Sequence, residues 1–246
     1  KALIIIGRTA GEDKDNSNTE GSYLLAEKER RLIAKVCRYF EKVTVVLNVG
    51  SIMDTTWAEE YGVDSVLYVW QGGQCGGAAA ADVLCGKATP CGKLSDTIAY
   101  SIDDYPSTAN FGDPIENHYT EDIYVGYRYF ETFAKDRVLY PFGFGLSYTD
   151  FEVKTDASEN GGIITVKTAV TNVGEYDGKE VVQVYFEAPQ GKLGKPTRQL
   201  IGFEKTKLLK KGDTCIIEIH LNITDMASYD DSGASGHKNC YVLENG

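Results

Sequence analysis

Histidine, proline and tryptophan are scarce in this sequence: three, six and two among 246 residues. Little proline beside 26 glycines makes the chain turn-rich without being low-complexity. The six cysteines (Cys37, Cys75, Cys85, Cys91, Cys215 and Cys240) form no C-x-x-C pair and have no histidines nearby, so no metal site is expected. Cys37 and Cys85 fall on apolar helix faces, where a thiol is a small hydrophobe. The six are read as reduced core thiols rather than disulfides, which places the chain in the cytoplasm rather than outside the cell. Cations are short as well: 25 Lys and Arg face 36 Asp and Glu, a net charge of −11. Such a surface repels phosphate backbones and argues against a nucleic-acid partner. No apolar run approaches about 20 residues, so no membrane-spanning segment is expected. The opening KALIII lacks the basic leader and long apolar region of a signal peptide. It reads as a strand already inside a fold, and the closing CYVLENG as a strand entering a turn. Both ends look cut from something longer.

What is present falls into two halves with different periods. ALIII, VTVVLN (43–48) and SVLYVW (65–70) are apolar runs of the kind that form parallel strands covered on both faces. Between the first two, Leu25, Leu32, Ile33, Val36 and Phe40 recur at helical spacing, predicting a helix from about Leu24 to Phe40. Ser22 is a candidate cap for it. Asp54 is a candidate cap for a short helix through Trp57 and Glu60, and a small-residue helix is expected from Gly76 to Cys85, ending at Gly86. Strand and helix alternating in this way argue a partial α/β sandwich with a mainly parallel sheet over 1–105.

From about Tyr148 the period drops to two. FEVKTD, GIITVKTAVTN, KEVVQVYFEA, RQLIGFEKTKL and CIIEIHLN are strands separated by Gly, Asn and Asp turns. They argue an all-β sandwich of immunoglobulin or fibronectin III type over 148–246, with five or six strands visible where about seven are usual. Residues 106–147, with NHYTEDIYVGYRYFET and LYPFGFGLSY, are too aromatic for a flexible linker and read as an interdomain bridge. Gly143 and Gly145 would supply its turns.

At this point the sequence resembles glycoside hydrolase family 3, the β-glucosidase family. VLNVGSIMDTTWAEEYGVDSVLYVWQGGQCGGAAAADVLCGKATPCGKLSDTI is similar to the family's incomplete α/β sandwich. EDIYVGYRYFET and LYPFGFGLSYTDFEV resemble its bridge, and VKTAVTNVGEYDGKEVVQVYFEAP with RQLIGFEKTKLLKKGD its fibronectin type III-like domain. MASYDDSG and CYVLENG look like members of reversed domain order, in which the catalytic barrel follows this region. The resemblance implies retaining hydrolysis of β-linked oligosaccharides or glucosides by two carboxylates, without metal or organic cofactor. The nucleophile aspartate belongs to a (β/α)₈ barrel, which alone needs about 250 residues and has no counterpart here. That barrel is the implied partner, in the same polypeptide or as another chain. The resemblance leaves a homo-oligomer open.

The acid/base is the part this chain can hold. GRTAGEDKD occupies the family's Ser-Gly-Glu-Gly-type loop after a strand, so Glu12 is the matching position and Asp15 matches an aspartate common there. Glu20, in NTEGSYLL, is the alternative acid/base. Arg8 is placed to hydrogen-bond the loop, a carboxylate or substrate. Trp70, at a strand end, is a candidate for stacking on a sugar or for core packing. The loop departs from the family pattern at Ala10, Asp13 and Asn16. A second reading therefore stands beside the first: a non-catalytic carbohydrate-binding or scaffold protein that keeps the fold. The glycines of WQGGQCGGAAAADVL lack dinucleotide-loop spacing and are read as allowing close helix–sheet packing. His118, His220 and His237 are read as surface residues.

Overall fold

The computed structural model describes residues 1–9 and 15–245. The chain divides into two units: one of Lys1–Lys87, Asp96–Thr120 and Asp136–Pro141, the other of Ala88–Ser95, Glu121–Lys135 and Phe142–Gly246.

The first unit is α/β. β1 (Ala2–Gly7) and β2 (Val43–Asn48) pair in parallel, Ala2 opposite Val43 and Gly7 opposite Asn48. β3 (Ser65–Tyr68) pairs with the other side of β2, giving the order β1-β2-β3. Parallel neighbours need a crossover, which α1 (Glu27–Tyr39) and the short α2 (Trp57–Glu60) supply. Central β2 buries Val43, Val45, Val46 and Leu47, so its run does not alternate. Edge strand β1 departs from the expected two-sided burial. Ile4 and Ile6 are buried against Leu25, Ile33 and Trp57, whereas Leu3 and Ile5 are 51% and 65% exposed. Period-two geometry sends these pairs to opposite faces, and among the described residues only one face of β1 is covered. Full burial of Ile33 contributes roughly 1.5–3 kcal/mol.

α3 (Gly76–Leu84) buries none of its residues. A Cβ at Gly76 or Gly77 would meet open space, so these glycines do not serve close helix–sheet packing. The close approach is backbone on backbone: a Cβ at Gly72 would lie 2.7 Å from Gly76 Cα. Cys85 caps the helix from an exposed position rather than a buried face, and Gly86 at φ +73° ends it. β4 (Ile98–Ala99) and β5 (Val138–Tyr140) form a small antiparallel pair.

The second unit opens with a helix that periodicity did not reveal, α4 (Tyr127–Phe133), followed by a β-sandwich. Its strands are β6 (Phe151–Asn160), β7 (Ile163–Asn172), β8 (Val181–Phe186), β9 (Gln199–Lys205) and β10 (Thr214–Asn222). A short hairpin of β11 (Ser228–Asp230) and β12 (Cys240–Val242) follows. The sheets are β10-β7-β6 and β8-β9. Val170, Val182, Leu209 and Ile217 form the core between them, with Cys215 against it. Gly143 takes φ +80°, and a Cβ at Gly145 would collide with the Gly92 carbonyl, so both glycines answer a backbone requirement. All six cysteines are free thiols. Cys37 packs against the α/β core, but Cys75, Cys85 and Cys240 are exposed and so are not core thiols.

Candidate active site

Strands of a parallel sheet end at one edge, and ligands of open α/β sheets bind in the loops beyond it. Here that edge is Gly7, Asn48 and Tyr68, and the loops beyond it precede α1, α2 and α3. The first two loops and the end of β3 are bonded to one another. Asn16 Nδ2 donates to the Ile52 carbonyl at 2.7 Å, and Asp54 N donates to the Tyr23 carbonyl at 3.0 Å. Tyr68 OH donates to the Ser51 carbonyl at 2.8 Å.

Glu12 lies outside the described residues, as do Ala10 and Asp13. Asp15, at the far side of that stretch, is exposed. Arg8 follows β1 directly, and its N–H donates to the Asn48 carbonyl at 3.1 Å. Its guanidinium pairs with Glu29 through two bonds of 2.7 Å. The remaining N–H groups donate to the carbonyls of Gly7 (2.9 Å), Ser22 (3.2 Å) and Leu24 (3.4 Å). All five guanidinium donors therefore meet protein acceptors. Burial acts to raise the Glu29 carboxyl, but the bonds from Arg8 and from Ala26 N–H outweigh it and hold the group below the usual carboxylate range.

Glu20 is turned toward α1. One oxygen accepts from Glu27 N–H at 3.3 Å and the other from Arg30 Nη2. An anion there faces the positive end of the helix. Ser22 does not cap α1, contrary to expectation. Its hydroxyl donates to Asn16 Oδ1 at 3.1 Å and accepts from Ser17 N–H. The cap function falls to Glu29, whose carboxylate accepts from Ala26 N–H at 2.8 Å. Asp54 accepts from Thr56 N–H and its hydroxyl, while Thr56 itself takes the cap position of α2.

Trp70 lies just beyond β3, half-buried, at φ +51°. Its ring sits 4.3 Å from that of Tyr68, inclined by 41°. Near the same edge are three tyrosines that sequence reading did not single out. Burial pushes Tyr105 up to about 12 and Tyr23 and Tyr68 further in the same direction. Tyr23 is 2% exposed, and its hydroxyl has no hydrogen-bond partner among the described residues. No cluster of three His, Cys, Asp or Glu suited to a metal occurs among the described residues, and no helix there is long and apolar enough to cross a membrane. The three histidines are exposed.

Comparison with known proteins decides the family. The model of the glycosyl hydrolase family 3 C-terminal domain matches residues 1–148. The chain belongs to glycoside hydrolase family 3. A fibronectin type III-like domain matches residues 180–246, so the architecture is a family 3 α/β domain followed by that β-sandwich. A β-glucosidase of Ruminococcus albus is 53% identical over 247 residues, covering 100% of this chain and 26% of the relative. The crystal structure of a β-glucosidase from Paenibacillus barengoltzii superposes with a TM-score of 0.96 at 54% identity, covering 99% of this chain and 27% of that one. β-Glucosidase 3B of Thermotoga neapolitana, solved in complex with glucose, gives 0.87 at 41% identity, covering 92% and 33%. This family 3 chain thus spans about a quarter to a third of these relatives' length.

Proposed function

We propose that this chain is the acid/base-bearing part of a retaining β-glycosidase acting on terminal β-linked glucosides. The observation that carries this is the polar loop leaving the carboxyl end of β1 at the binding edge of the sheet, in a chain of this family. The relatives' names supply the substrate class. Glu12 protonates the glycosidic oxygen as the C1–O bond breaks and a nucleophile aspartate bonds C1 from a barrel elsewhere in the whole enzyme. The ionised Glu12 then takes a proton from water as that water displaces the aspartate. Glu20 is the weaker candidate, because both its oxygens are engaged by α1. Asp15 and Trp70 stand on the aglycone side, Trp70 stacking on a sugar. The free thiols suit a reducing, cytoplasmic setting.

The test is Glu12→Ala in the whole enzyme. For an unactivated β-linked disaccharide, kcat/KM should fall about 10²–10⁴-fold. For a dinitrophenyl β-glucoside, whose leaving group needs no proton, it should fall far less. Unchanged values on both substrates would remove Glu12 from the chemistry and favour a non-catalytic, carbohydrate-binding role.

A further inference from the structure

The loop expected to carry the acid/base has a narrow neck. It departs β1 at Arg8 and returns through Ser22, Tyr23 and Leu24 before α1 begins. One guanidinium closes that neck. It donates to Gly7 on the outgoing side, to Ser22 and Leu24 on the returning side, and to Glu29 in the first turn of the helix. Glu29 also accepts from Ala26 N–H, so the ion pair joins sheet edge, loop base and helix start. The side chains of Arg8 and Glu29 are only 11% and 24% exposed, which limits solvent screening of the pair.

We propose that Arg8 and Glu29 are a positioning pair that sets the place of the acid/base carboxyl. This rests on the reading of Glu12 as that group. Neither residue needs to touch substrate. The planar, bidentate fork fixes two chain directions at once, which the point charge of a lysine does not reproduce. A proton donor works only within hydrogen-bond reach of the glycosidic oxygen, and a displacement of about 1 Å costs on the order of a hundredfold. Loosening the neck therefore impairs the step that needs the proton and spares the nucleophile, which lies outside this chain.

The experiment uses the whole enzyme with Arg8→Met, Arg8→Lys, Glu29→Gln and the Arg8→Met/Glu29→Gln double variant, with Glu12→Ala as reference. On the disaccharide, kcat/KM should fall about a hundredfold for Arg8→Met and by less for Arg8→Lys. On the dinitrophenyl glucoside the loss should stay within about a tenth of that. The double variant should be no worse than Arg8→Met, as expected of two residues acting as one unit. If Arg8→Met does not fold, Arg8→Lys and Glu29→Gln carry the same substrate comparison. Equal losses on both substrates, or none in folded variants, overturn the positioning role, because a merely structural pair would not discriminate leaving groups. If Glu12→Ala shows the selective loss and the Arg8 and Glu29 variants do not, only the positioning role fails. If Glu12→Ala itself lacks the selective loss, the acid/base reading fails and this inference falls with it.

Discussion

Trp70 holds a backbone conformation that bulky residues rarely adopt, φ +51°. Such a conformation costs on the order of 1–3 kcal/mol and persists only where the surroundings hold it; the ring of Tyr68 packs against that of Trp70. Trp70→Gly should relieve that strain and leave Tm equal to or above that of Trp70→Ala. Both variants should raise KM for glycosides in the whole enzyme, the expected loss of a stacking partner. Unchanged KM in both would take Trp70 out of the sugar site. The place of Trp70 at a strand end is legible in SVLYVW, but its φ is not, since a left-handed tryptophan answers to tertiary packing. Arg8 likewise reads as a cation beside an acidic loop. That its carboxylate is Glu29, 21 positions away, depends on α1 folding back against β1 and lies beyond local pattern.

At the scale of elements, apolar runs and helical spacing locate the strands and α1 to within a few residues, because the runs are apolar in sequence even where, as in β1, only one face is buried. The helix start is misread. Ser22 has the chemistry of a cap but is engaged by Asn16 and Ser17, and the chain makes an extra turn before Glu27. α4 is missed because GYRYFET is aromatic on several faces and has no single apolar stripe. The loops behind the sheet edge carry a pH signature. Burial, with help from Asp54, Asp96 and Asp104, favours the neutral forms of Tyr23, Tyr68 and Tyr105. Groups with raised folded values give stability that is complete below the unfolded value of about 10 and is lost as pH rises through the folded values. Denaturant unfolding across alkaline pH should show that decline, beginning near pH 10. Tyr23→Phe removes a buried hydroxyl without a partner among the described residues, so it should raise stability by about 1–3 kcal/mol. It should also flatten part of the alkaline loss. A destabilised Tyr23→Phe with an unchanged pH profile would contradict this account of the cluster.

At the scale of the molecule, both architectures are legible because alternating apolar runs and helical stripes of period about 3.6 give way to strands of period two along whole stretches of chain, and long collinear motifs carry the family. The candidate acid/base is legible only through that resemblance, since an acidic loop is ordinarily solvated surface. This chain spans 26% of the Ruminococcus albus β-glucosidase, and double displacement needs two carboxylates. Expressed by itself, the chain should therefore hydrolyse no β-glucoside, activated or not; measurable turnover by purified chain would show a second carboxylate within it.

The most direct measurement is the product formed when the whole-enzyme Glu12→Ala variant turns over dinitrophenyl β-glucoside in the presence of azide. Azide needs no general base and should attack the glycosyl-enzyme from the face that water uses. The expected result is faster turnover and a β-glucosyl azide of retained configuration. Wild-type-like turnover that yields only glucose, with no response to azide, would contradict the claim that this chain supplies the acid/base.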